Sequence, residues 1–152
     1  MNTPSLRLRE SNATLHSTKF NIVRDIPRHG APARKAAVRA ASEAMAALAR
    51  SDDIAAKVET DLGWHVAVAQ ASGNRFLVSI MGSIAHALGQ HLRMLNDVAG
   101  NFEGNLPNHL RVTEAILASD ATGARAAMEE LVARARDDTR RMRPNPAQTP
   151  PD

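Results

Sequence analysis

Apolar residues recur at helical spacing in five stretches of this chain, separated by short polar breaks. From Ala33 to Arg50, the residues Val38, Ala41, Met45 and Leu48 share one stripe of a helix. Ser51-Asp52-Asp53 offers side-chain oxygens to the start of a second helix over 53–72. Its stripe is Ile54, Val58, Leu62, Val66 and Ala69, and Gly73-Asn74 closes it, since both residues tolerate the left-handed conformation. A third helix over 75–98 carries Phe76, Ile80, Ile84, Leu88, Leu92 and Leu95, and Ala99-Gly100-Asn101 ends it. Gly104, Asn105 and Pro107 then read as a loop. A fourth helix starts near Pro107, a favoured first-turn residue, and runs through Ala118. Ser119-Asp120 caps a fifth over 121–142. Residues 1–32, with Pro4, Pro27, Gly30 and Pro32, show no sustained period and read as irregular or weakly ordered. The Pro-rich tail over 143–152 cannot continue a helix and is expected to be extended and disordered. The expectation is an all-α domain over 33–142, an antiparallel bundle of about five helices.

Composition supports that reading. Apolar residues make up 43% of the chain and aromatics only 3%, so strong helix formers dominate and aromatic strand formers are scarce. A length of 152 residues suits one domain with its own core. The absence of Cys excludes disulfides and thiolate metal sites and fits a reducing, cytoplasmic setting. No apolar run reaches the roughly 18 residues that span a membrane. The net charge of +3 invites a nucleic-acid reading, but its distribution argues against one. Residues 1–35 hold seven basic and two acidic side chains, and residues 133–152 hold five and three. Residues 36–132 hold seven basic and eleven acidic, a net of −4. The expected folded core is acidic, whereas a DNA-binding surface needs a basic stripe on a folded face.

Candidate chemistry centres on Asp61 and His65, four residues apart in the second helix, with His109 in the fourth. That spacing puts a carboxylate and an imidazole on one helical face, one turn apart. The same spacing also makes an ordinary helix-stabilising pair, and a His at a helix start is commonly a surface residue. Two imidazoles and a carboxylate suit divalent Zn, Ni, Mn or Fe and leave coordination positions open. His86, His91 and Arg93 lie in the third helix, and Arg93 can neutralise a carboxylate ligand. Trp64 reads as core or as a dimer contact, and the Met residues as gap-fillers.

Four segments make the pattern more specific: Asp61-Leu62-Gly63-Trp64-His65, Ala71-Ser72-Gly73-Asn74, Asn108-His109-Leu110-Arg111 with Ala115-Ile116, and Ser119-Asp120-Ala121. Together they resemble the FadR-type (FCD) effector-binding C-terminal domain of GntR-family transcription regulators, over about residues 33 to 142. The resemblance implies a divalent metal (Zn, Ni or Mn) on Asp61, His65 and His109. It also implies a small carboxylate effector docking near that metal, with Arg93 and Asn74 as candidate contacts, and a homodimer. The family's fourth ligand, a His in the last helix, falls here on Leu131, which cannot bind a metal. Three outcomes stay open: three protein ligands suffice, Glu130 substitutes, or the site is lost.

A full regulator of that family places a winged helix-turn-helix before the effector domain. Residues 1–32 are too short for one and lack its pattern of paired amphipathic helices. The chain therefore reads as trimmed at the N-terminus, touching DNA only through a module supplied elsewhere. Loss of an opening helix uncovers an apolar stripe, which favours dimerisation. The expected function is sensing and dimerisation without catalysis. The alternatives are a small metal-dependent enzyme and a remnant with little function. For the enzyme reading the missing part is a placed general base, since neither Glu59 nor Glu114 has the right spacing.

Overall fold

The computed structural model describes residues 31–97 and 100–142. The readings made for residues 1–30 and 143–152 lie outside the described residues. Five helices and no strand occur among the described residues: α1 Ala31–Ala47, α2 Ile54–Ala71, α3 Arg75–Asn96, α4 Asn101–Leu117 and α5 Ala121–Met142. The all-α expectation holds. None of these helices is long and apolar enough to cross a membrane.

Local chemistry explains most boundaries. Pro32 sits in the first turn of α1, where its missing N–H costs nothing. Asp53 caps α2 by accepting from Ala56 N at 2.9 Å. Gly73 takes a φ of +67° and turns the chain from α2 into α3. Asn74 does not close α2 as the sequence suggested. It is extended and caps α3, its Oδ1 accepting from Phe76 N at 2.9 Å and Leu77 N at 3.4 Å. At the end of α4, Ser119 adopts a φ of +59°, and Asp120 N reaches back to Ala115 O at 2.9 Å, the hydrogen bond of a Schellman close. Lys35 of α1 reinforces that corner, donating to Leu117 O at 2.8 Å and to Ser119 Oγ at 2.5 Å. Asp120 Oδ1 then accepts from Gly123 N at 2.9 Å and starts α5.

The fourth helix departs from the sequence reading. It begins at Asn101, six residues earlier than expected, and Pro107 lies inside it. An interior Pro removes one backbone hydrogen bond and crowds the preceding turn. The helix forms regardless because Phe102 and Leu106 continue the buried stripe of His109, Val112, Thr113 and Ile116 back through Pro107. Burying two large apolar side chains contributes about 3–6 kcal/mol, enough to offset the roughly 3 kcal/mol that a helical Pro costs.

The helix α2 lies between α1 and α3, which explains why its most buried side chains, Trp64, Val68, Ala69 and Ala71, point in several directions. On the other side α4 packs against α5 and α1. The core joins Val38 and Met45 of α1, Trp64 and Val68 of α2, Leu77 of α3, Phe102 and Ile116 of α4, and Met128 and Leu131 of α5. In α3 the buried stripe starts one residue later than expected: Leu77 and Met81 are buried, while Phe76 and Ile80 are exposed. Leu92 and Leu95 are buried as read.

Candidate metal centre

Three helical positions define the site. Asp61 and His65 lie one turn apart on the face of α2 that meets α4, and His109 lies mid-way along α4. The extended start of α4 moves His109 away from a helix terminus and into the interior, where it is 3% exposed. Asp61 and His65 are buried beside it. Asp61 Oδ1 stands 3.3 Å from His109 Nε2 and 3.4 Å from His65 Nε2. The potential ligand atoms of all three residues lie within 4.8 Å of one another, close enough to share one ion. The pair that spacing put on one face, Asp61 and His65, thus meets His109 in space.

The charge balance at the centre is unusual. Burial alone pushes the Asp61 carboxyl up, but the His109 and His65 rings outweigh it and hold the group well below the usual carboxylate range. Yet Oδ1, although buried, has no hydrogen bond of acceptable geometry. The orientation of His109 sharpens the point. Its Nδ1 lies 3.0 Å from Asn105 O, and a carbonyl only accepts, so Nδ1 carries the proton. Nε2 then faces Asp61 Oδ1 at 3.3 Å, and a positive charge shared by the two atoms, which a metal ion or a second ring proton supplies, satisfies both. The residues present thus fit a divalent metal, with Asn105 O fixing the tautomer of one ligand.

Trp64 braces both imidazoles. Its ring meets His109 edge-on at 4.6 Å and His65 at 5.0 Å between centroids. Trp64 Nε1 donates to Thr113 Oγ1 at 2.9 Å, and Thr113 shares a 2.8 Å hydrogen bond with Ser42 Oγ. This chain ties α2, α4 and α1 together behind the ligands. Trp64 has no exposed surface, so it is core rather than a dimer contact. The sequence reading missed the role of Thr113, whose only signal was a hydroxyl on the buried stripe of α4.

The other candidates fall elsewhere. Leu131 is buried in the core and supplies only hydrocarbon. Glu130 does not substitute for the missing fourth ligand, because its exposed side chain pairs with Arg111. Arg93 is exposed on α3, whereas the three ligands are buried, and Asn74 is engaged in its cap. His86 is exposed, and His91 meets Thr139 Oγ1 at 3.2 Å. Glu59 and Glu114 are both exposed, and Glu114 lines an outer groove of about 440 Å³ between α4 and α5 that none of the three ligands borders.

One turn before Asp61, Lys57 is buried along its stem. It meets Glu103 at 2.5 Å and lies 5.3 Å from the centre of the Phe102 ring. The ammonium beside it lowers the Glu103 carboxyl below its ordinary range.

A search of curated proteins finds no relative of this chain. The model of the FCD domain, however, matches residues 21–134, three quarters of its length. That span contains all three clustered ligands and the helices that carry them. The chain belongs to the FCD domain family, the effector-binding C-terminal domain of GntR/FadR-type transcription regulators.

Proposed function

We propose that this domain senses a small organic acid through a divalent metal held by Asp61, His65 and His109, and performs no chemistry on it. The observation that carries the reading is the buried Asp61 oxygen, set against two imidazole nitrogens and lacking a hydrogen bond. A bound Zn, Ni or Mn would supply the missing positive charge and offer its open positions to a carboxylate. The protein's own part is to fix the ligands: Asn105 O orients His109, and Trp64 walls both rings. Leu131, at the family's fourth-ligand position, supplies no donor, so three side chains would leave more coordination positions open to an incoming acid. Arg93, on the outer side of α3, would meet an acid only near the surface. The exposed positions of Glu59 and Glu114 support a sensor over a hydrolytic enzyme, since neither carboxylate is placed to activate a metal-bound water. The domain would pair with a second copy and act on DNA through a winged-helix module outside this chain, in a cytoplasmic regulator.

Elemental mass spectrometry of the purified protein beside His65→Ala tests the reading. Near-stoichiometric Zn, Ni or Mn in the parent and its loss in the variant is the expected result. Titration of the loaded protein with chelating carboxylates should then give saturable binding without turnover. A parent protein that stays metal-free after incubation with each of these ions would sink the proposal.

A further inference from the structure

A buried ammonium lies one helical turn from the three ligands. Lys57 precedes Asp61 by four residues on α2, so the two side chains share one face, about 6 Å apart along the axis. Both reach towards α4: Asp61 meets His109, while Lys57 meets Glu103 and the ring of Phe102. The polar cluster therefore continues along the space between α2 and α4, with a carboxylate and two imidazoles at one end and an ammonium at the other.

The ammonium and its partner are unequally placed. The Lys57 side chain is 7% exposed and that of Glu103 41%. An ammonium carries three N–H donors. Among the described residues that of Lys57 makes one hydrogen bond, to Glu103 Oε1 at 2.5 Å. The Phe102 ring, 5.3 Å away, attracts the charge without accepting a strong hydrogen bond. A buried charge is costly when left alone, so Lys57 needs an anion beside it. Glu103 is half in water and can turn out into it, whereas the Lys57 stem is held in the interior. A second carboxylate can therefore take the place of the first.

We propose that Lys57 is the second anchor of the acid sensed at the metal centre and that this acid is a short dicarboxylate. One carboxylate takes the open positions of an ion on Asp61, His65 and His109. The other displaces Glu103 from the Lys57 ammonium. The inference rests on the sensing reading and adds the chemical class of the acid and the residue that selects it. Axial rises of about 6 Å from Lys57 to Asp61 and about 9 Å from Glu103 to His109 separate the two anchors. Such a span suits succinate or glutarate and not a fatty acid. A monocarboxylate of the same length leaves Lys57 on Glu103 and sets a methyl group against the charged pair. Displacement of Glu103 also unties the first turn of α4 from α2, a change that a monocarboxylate does not produce.

Calorimetric titration of the metal-loaded full chain with succinate and with butyrate, its single-charge counterpart of equal carbon count, tests the assignment. Succinate is expected to bind about tenfold more tightly or better, the effect of one added charge-assisted contact. Lys57→Met should bring succinate down to the butyrate value, and Lys57→Arg should keep most of the preference. Glu103→Gln, at a half-exposed position, removes the internal competitor and should tighten succinate several-fold. Circular dichroism and metal content are measured on the same samples. A metal-loaded parent that binds the two acids equally or not at all, or a succinate preference that survives Lys57→Met, overturns the role of Lys57 while the metal centre stands. A parent that takes up no Zn, Ni or Mn overturns the sensing reading and this inference together.

Discussion

Asp61 and Thr113 show how single residues set this interior. Asp61 is held ionised in a buried place by two rings, and the cost of that burial is accepted for the sake of the site. Thr113 does opposite work, satisfying two polar groups at once with one oxygen. Thr113→Val keeps the volume but strands the Trp64 N–H and the Ser42 hydroxyl. Each buried group left without a partner costs about 1–3 kcal/mol, so chemical denaturation should report a loss of about 2–4 kcal/mol. The same variant should weaken metal binding, because Trp64 loses the anchor that sets its edge against His65 and His109. An unchanged midpoint would mean that water reaches both groups. At this scale the sequence was partly legible. The four-residue step from Asp61 to His65 is a local rule and could be read directly. Its completion by His109 is a tertiary fact across 44 residues, reachable only through the family's segments. Asn105 gave no signal, because a backbone carbonyl looks alike wherever it occurs, and Thr113 gave only a hydroxyl among the apolar positions of its helix.

Among the elements, α4 holds the chief departure from local expectation. Gly104, Asn105 and Pro107 in sequence look like a turn, and their intrinsic preferences are those of a turn. Tertiary burial of Phe102 and Leu106 overrides them. The first two positions of the α3 stripe, Phe76 and Ile80, were misassigned for a related reason. Two apolar seams share that helix, and periodicity alone does not say which one faces inward. The first turn of α4 is also tied to α2 by Glu103 and Lys57. Glu103 is 41% exposed along its side chain, so solvent screens the pair and its contribution is about 1 kcal/mol or less. The folded carboxyl is lowered, so its contribution is present above the ordinary carboxylate pKa and is lost as pH falls through the folded value. Glu103→Gln should remove that acid-side loss in a pH series of melting temperatures. Lys57→Met, which keeps the stem against Phe102, should remove it as well while costing no more than about 1 kcal/mol. An acid-side slope that survives both variants would place its origin in other carboxylates.

For the molecule as a whole, the fold is a frame in which a polar cluster replaces part of the hydrocarbon core. Helical periodicity and composition pointed to one all-α domain, the acidic balance of residues 36–132 argued against a DNA-binding surface, and the sensor reading came from the family resemblance; the FCD match over residues 21–134 shows that family. Trp64, fully buried and edge-on to both imidazoles, has a consequence for observing the protein. The chain contains one Trp and no Tyr, so nearly all of its near-ultraviolet emission comes from that single indole. Any ion gripped by His65 and His109 sits within the quenching range of that chromophore. Titration with Ni should dim the emission in step with occupancy, whereas closed-shell Zn should change its intensity or wavelength without comparable dimming. His109→Ala should abolish both responses. The indole that props up the ligands thereby serves as a built-in optical gauge of whether they are loaded, with no label attached.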